Sequence, residues 1–278
     1  MKEKDIYIVP DDYTHAIPTA KYGMHLSKKL DSTAVLQLIE NISPLIPVMT
    51  VGAMKGFPSP IEQSVLAKKV IPYVEKIDNA TQHIWDRSRC EVAVGYPVNE
   101  VIQIASNNNP FLMIVEGSSE LTFFNEWFGT SETTVAENTE CPVLIVQPKT
   151  EWHPIENILY LIDIDDNKSE NIEVLYRLTK SLDAHLQVGF ISKKNKIDAN
   201  ERFFEMVIEI KELLNDKNAS FYQIFGEKNS DDVKLLVEVL SPDWIALEQK
   251  NKNFFQRVFD DYNTKRLILQ SEIPVLVF

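Results

Sequence analysis

The chain states one structural plan twice, and this repeat limits its possible folds more than any other feature. Ile6-Tyr7-Ile8-Val9-Pro10 is apolar and runs into Asp11-Asp12. Ile158-Leu159-Tyr160-Leu161-Ile162 does the same and runs into Asp163-Ile164-Asp165-Asp166. Each reads as a buried strand that stops at carboxylates. A helical stretch follows in both halves, over 16–30 and 172–182, and each closes on Leu-Asp (Leu30-Asp31 and Leu182-Asp183). A second apolar strand comes next: Ala34-Val35-Leu36-Gln37-Leu38-Ile39, then Leu186-Gln187-Val188-Gly189-Phe190-Ile191. A third strand ends on glycine in each half, Gly95 and Gly226. A helix (98–105; 233–240) and another buried strand follow, Phe111-Leu112-Met113-Ile114-Val115 and Trp244-Ile245-Ala246-Leu247. Both halves finish on Pro-Val-Leu, at Pro142-Val143-Leu144 and Pro274-Val275-Leu276.

The offsets agree to one residue from Gly95 to Pro142 and from Gly226 to Pro274. The halves differ strongly only between their second and third strands. There the first half carries an insertion around 42–60, rich in proline. Strands alternating with helices imply parallel sheets with right-handed crossovers. The expected fold is α/β: two tandem, doubly wound, mostly parallel sheets. Domain 1 spans 1–148 and domain 2 spans 155–278, with Pro148 and Pro154 bounding the linker.

Composition narrows the function. The 278 residues are 44% hydrophobic and 25% charged, ordinary for a globular chain. The apolar runs fall short of the ~20 residues that span a bilayer. The opening Met1-Lys2-Glu3-Lys4-Asp5 lacks a signal-peptide core, so a cytoplasmic protein without a membrane partner is expected. Cys90 and Cys141 are far apart, have no C-x-x-C neighbour, and read as buried free thiols. A net charge of −13 argues against nucleic acid as a partner.

Several short motifs point together. Pro10-Asp11-Asp12 closes the first strand, Gly95 the third. Met113-Ile114-Val115-Glu116-Gly117-Ser118-Ser119 is a strand running into a glycine turn, and Cys141-Pro142-Val143-Leu144-Ile145-Val146 is a last strand. In this order and spacing they resemble the universal stress protein family, well in the first half and more weakly in the second. The resemblance implies a five-stranded α/β sandwich of the adenine nucleotide α-hydrolase-like type in each half. It also implies pairing through the last strands, Val143–Val146 with Val275-Leu276-Val277-Phe278. These runs are apolar and uncharged, and such an exposed edge invites another strand.

Many members of that family bind ATP through G-x-x-G, nine residues, then G-[ST]. Glycines let the backbone approach phosphates, and the helix opened by G-[ST] offers free N–H groups to the anion. In the first half, Gly117-Ser118-Ser119 is similar to the start of this pattern and Gly129-Thr130 to its end, with Thr130 capping a helix that begins at Ser131. The same resemblance places Asp12 at adenine or ribose, with Pro10 and Ile39 lining the base. However, Glu120 replaces the second glycine, the gap is one residue short, and Phe123, Phe124, Trp127 and Phe128 fill it. The second half reads Glu248-Gln249-Lys250-Asn251 at the turn, with no glycine, and Asp260-Asp261 where G-[ST] belongs. The expectation is a protein without a bound cofactor and with degenerate nucleotide sites. The alternative is a sensor that binds ATP or another adenine nucleotide in domain 1 only.

No other chemistry is legible. Asp163-x-Asp165-x-Asn167 lacks the glycine and glutamate of a calcium loop. The five histidines show no metal-ligand spacing, and no nucleophile accompanies His15 near Asp12. An adenylating enzyme needs a serine–glycine loop after the first strand, which Asp11-Asp12-Tyr13-Thr14 does not supply. A regulatory or protein-binding module, not an enzyme, is the expected class. The 42–60 insertion is either a surface for a protein partner or a lid over its own half.

Overall fold

The computed structural model describes residues 5–11, 16–41, 71–95, 97–117, 141–163, 171–193, 198–214, 218–226, 230–248 and 272–278. The chain forms two compact units, Met1–Pro142 and Val143–Phe278.

In the first unit the elements run β1 (Asp5–Val9), α1 (Ile17–Lys29), β2 (Thr33–Asn41), α2 (Ile71–Thr81), β3 (Ser88–Gly95), α3 (Pro97–Asn108) and β4 (Leu112–Glu116). The strands lie in the order β3-β2-β1-β4, all parallel. β1 is central, and Ile6 and Ile8 are fully buried, as expected for a strand covered on both faces. α1 carries proline in its first turn and Lys28 and Lys29 in its last, both favourable to a helix at those ends. A Cβ at Gly23 would strike the Ile8 side chain, so this glycine lets α1 approach β1 closely.

The second unit runs β5 (Val143–Val146), β6 (Asn157–Asp163), α4 (Ile172–Ser181), β7 (His185–Lys193), α5 (Ala199–Leu214), β8 (Ala219–Gly226), α6 (Ser230–Leu240), β9 (Trp244–Leu247) and β10 (Val275–Val277). Its strand order is β5-β10-β9-β6-β7-β8. All pairs are parallel except β5 with β10, which run antiparallel with Val275 opposite Ile145 and Val277 opposite Val143. The two Pro-Val-Leu strands therefore do hydrogen-bond to each other. Trp244, Tyr160 and Phe190 are among the largest fully buried side chains of this unit.

The repeat extends to the helix ends. Asp31 and Asp183, each following α1 or α4 by two residues, adopt positive φ of 51° and 58°. Around them Ser32 N–H donates to Ser27 O, and Ala184 N–H to Thr179 O, closing both helices alike. Asn109 and Ser241 repeat the device after α3 and α6, with φ of 45° and 44°, and proline follows each.

Two points differ from the sequence reading. Helices α2 and α5 were not expected, although Phe203, Met206, Ile210 and Leu214 carry helical spacing. Cys90 is exposed, not buried, because β3 is an edge strand along which no described side chain is buried. The 42–60 insertion lies outside the described residues. Among the described residues, no helix is long and apolar enough to cross a membrane.

Candidate functional site

Ligands of open α/β sheets sit at the carboxyl ends of the strands. In the first unit β1 and β4 are hydrogen-bonded neighbours, with Val9 opposite Val115. The residues that follow, Pro10 on one strand and Glu116-Gly117 on the other, thus lie side by side at that end. Pro10 and Gly117 are buried. Ile39, near the end of β2, is half-buried opposite Ala93. Three of the expected site residues are therefore gathered at one mouth. Asp12, Ser118, Gly129, Thr130 and Ser131 lie outside the described residues, as do Glu120 and Asp260-Asp261.

The mouth also holds carboxylates that the sequence reading did not select. Glu116 is only 4% exposed and accepts a hydrogen bond from Thr19 Oγ1 at 2.8 Å. Thr19 stands in the first turn of α1, so the bond ties that turn to the end of β4. Glu40, at the end of β2, is 6% exposed. Glu100, in the first turn of α3, covers Gly95, where a Cβ would meet its carboxylate. Burial pushes the Glu100 carboxyl up from its ordinary value.

The second unit repeats the arrangement with different partners. Glu248 directly follows β9, as Glu116 closes β4. Its Oε1 accepts from the Tyr160 hydroxyl at 2.5 Å and from the Asn171 backbone N–H at 3.2 Å. Asn171 is the N-cap of α4, so an internal carboxylate meets one of the helix's free N–H groups. Burial, then Glu248, raises the Tyr160 hydroxyl well above its ordinary value. Asp232, in the first turn of α6, lies against Gly226 as Glu100 lies against Gly95.

One signal could have exposed these residues. An otherwise apolar strand ends on glutamate at the same step of both halves, Val115-Glu116 and Leu247-Glu248. Such an ionisable residue on a buried strand demands internal donors.

Chemically, these carboxylates accept from hydroxyl and amide donors and join elements to each other. Among the described residues, no group of three His, Cys, Asp or Glu is arranged to hold a metal. A cleft of about 420 Å³ opens at the opposite, amino end of β6 and β9, lined by Lys149, Thr150, Glu151, His153, Asp243 and Glu272 among others. Its Asp243 accepts from the N–H groups of Glu156 and Asn157 at 2.7 and 2.8 Å, fixing the start of β6.

No family model matches the chain, and no curated protein matches it. Solved structures do. A universal stress protein from Archaeoglobus fulgidus superposes with a TM-score of 0.67 at 14% identity, over 98% of this chain and 95% of that one. A Pseudomonas aeruginosa protein assigned to the same group gives 0.55 at 13%, over 100% and 93%. The cytoplasmic domain of a prokaryotic cation chloride cotransporter gives 0.53 at 9%, over 99% and 95%. At these identities the likeness is one of fold, and it runs the length of the chain.

Proposed function

We propose that the chain is a non-catalytic, cytoplasmic stress-response protein of the universal stress protein type. It acts as a regulatory or protein-binding module whose nucleotide sites are degenerate. The observation that carries this reading is the pair of buried carboxylates at equivalent strand ends, Glu116 with Thr19 and Glu248 with Tyr160 and Asn171. In each half the first helix, which borders the expected nucleotide cleft, is already tied to a buried carboxyl group. A phosphate at about 4 Å from such a carboxylate would be repelled by ~4 kcal/mol at an effective dielectric near 20. Glu120 and Asp260-Asp261 in the sequence add charge of the same sign.

The test is mass spectrometry of small molecules released on denaturing the freshly purified protein, with a calorimetric ATP titration alongside. No released nucleotide and no titration heat are expected. Stoichiometric adenine nucleotide would overturn the reading. A second reading keeps ATP or a related adenine compound in domain 1, favoured by the buried Gly117 beside Pro10 at the end of β4. It requires that Asp12→Ala and Thr130→Ala both weaken nucleotide binding.

A further inference from the structure

The two edge strands at equivalent places in the repeat are built differently. β3, the edge of the first unit, carries Arg89, whose guanidinium donates to Glu91 at 2.8 Å and to Asp5 at 2.9 Å. Charges of this kind protect an edge from pairing with another chain. β8, the edge of the second unit, reads Ala-Ser-Phe-Tyr-Gln-Ile-Phe-Gly over Ala219–Gly226. It has no formally charged residue and no proline, in a chain of net charge −13. Among the described residues it pairs with β7 on one side and with no strand on the other.

Both faces beside this edge carry exposed apolar side chains. On α5, Phe204 and Ile208 are 63% and 57% exposed. With Lys211 they form a stripe at helical spacing, and the Lys211 ammonium lies 5.3 Å from the centre of the Phe221 ring on β8. The stripe therefore lies on the β8 side of α5. On α6, Leu235 and Val239 are 50% and 70% exposed. They share a stripe with Asp232, which lies against Gly226 at the end of β8. α5 precedes β8 and α6 follows it. Phe221 sits under α5, while Gly189, opposite Tyr222, sits under Leu236 of α6, so the two helices cover opposite faces.

We propose that β8 is the interface for a second copy of this chain, which pairs its own β8 antiparallel to the first. The two-fold axis of such a pair is normal to the sheet, so each face is kept. Phe204 and Ile208 then meet the same residues of the copy on one face, and Leu235 and Val239 meet theirs on the other. A self-paired strand must not set like charges against each other, and β8 has none to set. The surface is thus complementary to itself in backbone hydrogen bonding and in its apolar side chains, and the paired strands bring no like charges together.

Sedimentation velocity of the full chain across the micromolar range tests this. A species of twice 31.9 kDa is expected. Phe204→Glu, Val239→Glu and Tyr222→Lys are each expected to raise the dimer dissociation constant at least about tenfold. The two glutamates replace exposed helix residues, so far-UV circular dichroism should not change, and the melting temperature should match the parent's at concentrations where both are monomeric. A 31.9 kDa species at every concentration would overturn the proposal. So would a dimer indifferent to all three variants, or a monomer whose β8 instead captures an extended segment of another protein.

Discussion

The Tyr160 hydroxyl donates to Glu248 Oε1 across 2.5 Å, joining two strands whose residues are 88 positions apart. The same carboxylate takes the N–H of Asn171, so one buried anion fixes β6, β9 and the start of α4. A buried charge is tolerated only when it is matched by donors in this way.

This bond predicts the alkaline limit of stability. The folded pKa of Tyr160 lies well above 10.0, through burial first and Glu248 second. Between pH 10 and that folded value, the unfolded chain loses its proton while the folded chain keeps it. The group's stabilisation is full below pH 10 and falls by up to about 1.4 kcal/mol per pH unit above it. Tyr7 contributes in the same direction, its pKa also being raised by burial. Urea titrations of Tyr160→Phe are expected to show a shallower loss between pH 10 and 11 than the parent. An unchanged slope would refute the assignment.

The first unit offers a matched test. Thr19→Val is close in shape but removes the donor that Glu116 accepts at 2.8 Å. A buried carboxylate short of one donor costs on the order of 1–3 kcal/mol, so the urea midpoint should fall accordingly. Thr19→Ser, which keeps the hydroxyl, should recover most of the difference.

The helix ends give a prediction of opposite sign. Asp183 holds φ at 58°, a conformation that costs an L side chain roughly 1–2 kcal/mol and glycine little. Glycine also gives up more chain entropy on folding, about 0.5–1 kcal/mol. Asp183→Gly is therefore expected to stabilise the fold by roughly 0.5 kcal/mol. Asp31→Gly also removes the pairing with Arg87, so its gain should fall short of that backbone difference. Thermal melts of the two variants side by side would separate them.

The α/β alternation was legible, because each strand is an apolar run bounded by turn residues; the β5–β10 pairing was expected only through the family resemblance, and the order of the strands in the sheet came from the structure. Ile6 and Ile158 needed no tertiary information to be placed in a core. The site was legible only in part. Pro10, Ile39 and Gly117 were named through the family resemblance, and the parallel strands bring them to one end of the sheet. Glu116 and Glu248 were overlooked, because a lone glutamate after an apolar run reads as the end of a strand. Only the folded chain shows that Thr19, Tyr160 and Asn171 arrive from elsewhere to satisfy them. Cys90 was misplaced for a related reason. Only its second part, Val92-Ala93-Val94, is apolar, and the charges of Arg89 and Glu91 that flank Cys90 and mark an edge were not weighed.

The two cysteines turn that distinction into a measurement. Cys141 is 6% exposed just before β5, whereas Cys90 is exposed on β3. Burial pushes the Cys141 thiol up to about 11. The Cys90 thiol is also raised to about 11, by partial burial and then by the carboxylates of Asp78 and Glu91. Thiolate is the reacting species, so both should be sluggish at neutral pH, and the rate at Cys90 should rise about tenfold per pH unit toward 11. In the native protein iodoacetamide is expected to modify Cys90 and spare Cys141, and in urea to modify both. Peptide mass spectrometry reads the two sites separately. Equal native labelling of Cys141 would show that the segment before β5 opens readily. A fast reaction at Cys90 at pH 7 would show that partial burial, with Asp78 and Glu91, does not hold its thiol protonated.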